Sequence, residues 1–237
     1  MIQVPEELEL IDRNPLRVCE LAASFLLDWG VVPTVTLNRS YEARVDEAEV
    51  RLGFSLPLAL RWLLSHIGSE HPVVGRQDPL VSAENLEVDD DGVIAYRMEN
   101  QNSARWGFRV DGQANSDPPV VWKRAGRAGR WRAYTDRLSI DLLELTLSES
   151  MLISGGNLLH VEGPLDGLGD LEGLLSVDIP SHIFWAIPDG PPVRWYAWRD
   201  CIIRDDGGAW YWVFGRTRQA VQSFTALIPA EWEHLAD

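Results

Sequence analysis

Residues able to do chemistry are plentiful in this chain, and their spacing decides which chemistry is open to them. Glu87, Asp89 and Asp91 place carboxylates at alternate positions before Gly92, the spacing with which an EF-hand loop surrounds calcium. The twelfth position of that count is Met98, and a strand rather than a helix should follow, so the run reads as a solvated turn. His66, His71, His160, His182 and His234 form no HExxH pair and have no cysteine or carboxylate at zinc-site spacing. Gly53-Phe54-Ser55-Leu56-Pro57 begins like a nucleophile elbow, but Pro57 replaces the closing glycine and the segment lies between helices, which makes Ser55 a helix-entry residue. There is no Walker A loop, and Gly167 and Gly169 lack the third glycine of a dinucleotide fingerprint. A glycosidase-type carboxylate pair is defined by distance in space, which spacing along the chain does not show. No catalytic or metal-ligating residue is singled out by these spacings, and an enzyme stays possible but unsupported.

Charge narrows the partners. Twenty-one basic against 36 acidic residues give a net charge of −15, a poor match for a phosphate backbone or an anionic membrane surface. Nucleic acid and membrane are therefore not expected as partners. Cys19 and Cys201 have no CxxC spacing and read as reduced, inert thiols. Met1 to Leu10 carries Glu6, Glu7 and Glu9, and no stretch approaches the roughly 18 apolar residues of a membrane span, so a cytoplasmic chain is expected. Asn38-Arg39-Ser40 matches a glycosylation sequon that such a chain would not use.

The elements that must position these residues follow from periodicity. Residues 15–29 carry apolar side chains at helical spacing, with Asn14 as N-cap, Pro15 at the first helical position and Gly30 as terminator. A second helix is expected from about Asp46 to Gly53, and a third, strongly apolar, from Pro57 to Gly68. Strands are expected at residues 93–98, 106–110, 120–122 and 131–135, with Asp111-Gly112 as a turn, giving an antiparallel meander. Residues 138–147 return to helix, with Leu138, Ile140, Leu142 and Leu145 on its buried side and Ser139 or Asp136 near its start. Past Met151, glycines at 155, 156, 163, 167, 169 and 173 suggest a loop-rich connection to about Asp178. Strands are then expected at residues 183–187, 193–198, 201–204 and 210–214, the last two joined by Asp205-Asp206-Gly207-Gly208. The organisation expected is an α+β domain over residues 1–150, an antiparallel sheet backed by helices, and a Trp-rich β extension over 151–237, either separate or continuous with it.

Between Asp46 and Met151 stand, in order, an acidic helix, Gly53, Leu56-Pro57, an apolar helix ending at Gly68, a strand ending in Glu99-Asn100-Gln101, Trp106, Asp117-Pro118-Pro119-Val120, Trp131 and Leu138-Ser139. This order of motifs resembles the SUKH superfamily of bacterial immunity proteins and relatives of a fungal cell-wall regulator. Ile67 stands where the family usually has asparagine. The resemblance implies an α+β fold, no cofactor, and function by binding a protein such as a cognate toxin domain, often a nuclease. An acidic surface suits that role by attracting basic enzymes.

The residues expected to meet a partner are Asp89, Asp90 and Asp91 in the acidic turn, Glu99, Asn100 and Gln101 at the strand end, and Arg105 and Arg109 on one sheet face. Glu99, Asn100 and Gln101 can equally satisfy turn backbone groups. Two other readings stay open: a regulatory scaffold of the same fold, and a small-molecule or carbohydrate binder or hydrolase with a cleft lined by Trp195, Trp198 or Trp212. Oligomeric state is not legible.

Overall fold

The computed structural model describes residues 14–110, 116–126, 129–153 and 155–234. The expected Asp111-Gly112 turn and the first 13 residues lie outside them. The fold is α+β, and the described residues divide into two compact units, the first ending at Ser150 and the second beginning at Met151.

The first unit opens with helix α1 (Leu16–Asp28), entered through Pro15 rather than beginning on it, with Asn14 Oδ1 just before it accepting from the Leu16 amide. Helix α2 (Arg39–Leu52) starts seven residues before the expected Asp46, because Asn38 accepts from the Ser40 and Tyr41 amides. Asn38-Arg39-Ser40 is thus a helix start. Helix α3 (Leu58–His66) packs on α2, fastened by Arg61 to Asp46 at 2.6 Å and to Glu49 at 2.5 Å. Ser55 is exposed in the link between them.

Strands β1 (Val93–Met98), β2 (Ala104–Arg109), β3 (Val120–Arg124) and β4 (Arg132–Ala133) form the antiparallel meander, in that order. The last strand is shorter than the expected 131–135. The pairing of β1 with β2 shifts between Ala95 and Arg97, which leaves Tyr96 as an extra residue. This bulge turns two successive side chains inward, and Tyr96 and Arg97 are both fully buried. Opposite Ala95 stands Gly107, where a Cβ would lie 2.5 Å from the Ile94 carbonyl oxygen. Only glycine permits the strands to approach this closely.

Helix α4 (Leu138–Leu152) corrects the one-sided pattern expected of 138–147: residues 138–151 are buried all round. It lies between the sheet, through Tyr96 and Arg97, and the helices, where Leu142, Leu143 and Thr146 meet Val18 and Ala22 of α1 and Leu63 of α3. Its polar side chains are tolerated because each finds a partner. Thr146, Ser148 and Ser150 donate back to helix carbonyls, and Asp117, rather than Asp136, caps the start by accepting from the Ser139 amide at 2.7 Å and hydroxyl at 2.6 Å.

The second unit is a five-stranded antiparallel sheet of order β5-β9-β8-β7-β6, its strands being β5 (Leu158–Glu162), β6 (Leu175–Ile183), β7 (Pro192–Trp198), β8 (Cys201–Asp206) and β9 (Trp210–Gly215). It is a sheet of its own and does not extend the first. Two corrections belong here. The glycines of the supposed loop bound strands instead of interrupting them: β5 runs between Gly156 and Gly163, and β6 starts after Gly173. The expected strand at 183–187 ends at Ile183, after which Ile187 and Gly190 close turns on Phe184 and Ile187. Pro180 falls where the β6 register shifts, on an edge strand that tolerates a missing donor. Gly207 and Gly208, both at positive φ, make the expected β8–β9 hairpin turn.

Helix α5 (Arg218–Thr225), capped by the Thr217 hydroxyl oxygen, covers one face of this sheet. Val213, Ile203, Cys201, Trp198, Phe224 and Ile228 form the core beneath it. Each such side chain contributes about 1.5–3 kcal/mol on burial. The two cysteines are buried, Cys19 on α1 and Cys201 on β8, and burial pushes each thiol up to about 12.

Candidate functional site

One face of the first sheet is packed and the other is open. Ala104, Trp106 and Phe108 of β2, with Val120 and Trp122 of β3, point inward and are buried. Arg105 and Arg109, four residues apart on the opposite face and so separated by about 13 Å along the strand, are half-exposed and exposed. Lys123 pairs with Arg105 across β2 and β3 on that same face.

These cations are held in place. Arg105 donates through Nε and Nη2 to Asn102 Oδ1, both at 3.1 Å, and Arg109 donates to the Asp91 carbonyl at 3.2 Å. Lys123 donates to Asp89 Oδ2 at 3.3 Å and lies 4.3 Å from the centre of the Trp131 ring, whose Nε1 donates to the same oxygen at 3.0 Å. Asp89 precedes β1 while Lys123 lies on β3, so this contact spans the middle strand, where the same face carries Gly107. Asp89 Oδ1 also accepts from the Asp91 and Val93 amides. Burial pushes the Asp89 carboxyl up, but the Val93 amide, the Trp131 N–H and the Lys123 ammonium outweigh it and hold it below the usual value.

The structure sorts the expected residues into three groups. Asp89, Arg105 and Arg109 share the open face, with exposed Asp90 and Asp91 at one end. Asn100 and Gln101 are exposed at the other end of β1, about 17 Å away. Glu99 is withdrawn from any surface: it is 3% exposed, and its carboxylate accepts from the Gln101 and Ser103 amides and from Gln77 Nε2. Asn100 also serves the turn, donating to the Arg76 carbonyl and to Gln77 Oε1. Sequence reasoning missed Lys123 and placed neither it nor Trp131 among the residues expected to meet a partner. The signal was available, since Lys123 is the single lysine and sits among strand aromatics.

A buried charge cluster was also missed. Arg97 reaches Asp78 at 2.5 Å, Asp141 at 3.3 Å and Glu144 at 3.6 Å, and stacks 4.2 Å from the centre of the Trp106 ring. The Tyr96 hydroxyl donates to Asp141. Nearby, Glu149 accepts from the amides of Arg76, Gln77 and Asp78. Asp141 and Glu144, three residues apart among the leucines of α4, were the available signal.

In the second unit the tryptophans do not converge on one cleft. Trp195 and Trp212 share one face of the sheet through Arg204, whereas Trp198 lies on the other, against Phe224. Trp212 donates to Asp206 at 2.9 Å and stacks on His160, with ring centres 5.0 Å apart. Among the described residues, no group of three or more histidines, cysteines or carboxylates is placed to hold a metal ion, and no helix is long and apolar enough to cross a membrane. No protein-family model, curated protein or solved structure matches the chain.

Proposed function

We propose that the chain is a non-catalytic, cytoplasmic immunity protein that binds a toxin domain through the open face of its first sheet. The observation that carries this reading is the fixed array of Arg105, Arg109 and Lys123, each tied to a neighbouring acceptor on one partly exposed sheet face. Side chains ordered in advance lose less entropy on association, so such a face binds at lower cost than free arginines would. Asp89, held ionised among its donors, serves as a fixed charge rather than a proton carrier. A net charge of −15 draws a basic partner, and the cations within that acidic field set its register. The order of motifs shared with the SUKH superfamily supports the immunity role.

Co-expression with toxin domains encoded in the same genomic neighbourhood tests this. Rescue of growth and a one-to-one complex are expected, with affinity weakened about tenfold or more by Arg105→Glu with Arg109→Glu. Loss of neither rescue nor affinity in that double variant, with its fold intact, would remove this face from the reading. Failure to bind or rescue against every neighbouring toxin would remove the function.

A further inference from the structure

Asp78, Arg97, Asp141 and Glu144 bring three carboxylates to one guanidinium, with no side chain more than 6% exposed. Arg97 divides unequally among them. Its Nη2 is taken by Asp78 at 2.5 Å, while Nη1 meets the two Asp141 oxygens at 3.3 and 3.4 Å, too long for a strong charge-assisted bond. The groups facing Asp141 are Arg97 and Tyr96 from β1, Asp78 from the segment preceding the sheet, and Glu144 one turn along its own helix. Tyr134, from the segment after β4, faces Arg97 and Tyr96. One cation cannot neutralise three buried anions, and a water-poor interior penalises the excess heavily. A proton on Asp141 removes one negative charge, leaves Oδ1 as an acceptor for Arg97, and lets Oδ2 share a hydrogen bond with the Tyr96 hydroxyl in either direction.

We propose that Asp141 is the sensing group of a pH-sensitive device built into the first unit, which is tightest with Asp141 protonated and loosens when it ionises against Asp78 and Glu144. The proton comes from solvent on folding, converting the carboxylate of the open chain to a carboxylic acid. Burial, the largest influence, and the Asp78 and Glu144 charges outweigh Arg97 and Tyr96 and push the Asp141 carboxyl up to about 6. Because the folded value lies above the unfolded one, this contribution is complete below the ordinary carboxylate range and is lost as pH rises through about 6. The gap corresponds to about a hundredfold in the folding equilibrium constant.

The test is a series of urea midpoints on the full chain from about pH 4 to about pH 8. The midpoint should fall across that window, and the fall should shrink in Asp141→Asn. The remainder belongs to Glu149 and Asp205, whose burial also pushes their carboxyls up. An unchanged fall in Asp141→Asn, or its loss in Glu144→Gln instead, overturns the proposal. Infrared difference spectra keep it testable if Asp141→Asn does not fold. The wild-type chain should show a buried carboxylic acid C=O stretch at the acid end that disappears towards the alkaline end and changes frequency in Tyr96→Phe. Absence of that band, or its indifference to Tyr96→Phe, overturns it equally.

Discussion

The two sheets of this protein solve the problem of a filled interior with opposite materials. Behind β1–β4 lie an arginine and three carboxylates, admitted by a bulge and enclosed by a helix buried on every side. Beneath α5, on one face of β5–β9, lie Trp198, Phe224, Ile203 and Val213, whose burial needs no charge matching. A charged interior is sensitive to the loss of any one partner, because the group left behind stays buried and unmatched. An aromatic interior loses stability in proportion to the volume removed, whichever residue is cut. The first unit should therefore respond most to single charges, with Asp141 carrying the larger share of the pH response, and the second to volume.

The sharpest way to break that contrast is Arg97→Met, which strands Asp78, Asp141 and Glu144 without their shared cation. A loss of about 3–5 kcal/mol is expected in denaturant titration, although the volume is nearly kept. Trp198→Ala should cost the second unit about 3 kcal/mol, removing the ring packed on Phe224 while leaving the pH dependence of the midpoint unchanged. Gly107→Ala asks whether the bulge needs its close strand approach, and about 1–3 kcal/mol should be lost by thermal unfolding as the Ile94 carbonyl is displaced. Asn38→Ala, at an exposed helix start, should cost about 1 kcal/mol through the α2 cap. The smallest effect concerns the open face. Asp89 is held below the usual carboxylate value, so its contribution is present above that value and is lost as pH falls through the lower one. Lys123→Met should flatten this acid limb in a pH series of unfolding midpoints.

How far these regions were legible differs for a physical reason. Amphipathic α1 and the alternating strand around Trp106 could be read because one face of each meets a core and the other meets water. Helix α4 misled on its polar positions, since a helix enclosed on all sides shows no polar stripe and its Asp141 and Glu144 look like solvent contacts until Arg97 is found opposite them. Arg97 itself could not be placed, because a one-residue bulge inverts the parity on which strand reading depends. Strands β5 and β6 were hidden by glycines that mark their ends. On the open face, Arg105 and Arg109 were visible from alternation alone, whereas the ties through Asp89 and Trp131 depend on tertiary approach and the Asn102 tie on the shape of the turn before β2. Glu99 went the other way, its side chain spent on the turn that its position had suggested as an alternative.

The two cysteines give this division an experimental handle. Thiols attack alkylating reagents as thiolates, and both are held far from that state while enclosed. Cys19 lies in one unit and Cys201 in the other, so each sulfur becomes reactive only when its own surroundings open. The unmodified chain thus carries two independent clocks, and the labelling rates of two peptides, followed by mass spectrometry, would time the opening of each half separately in one tube.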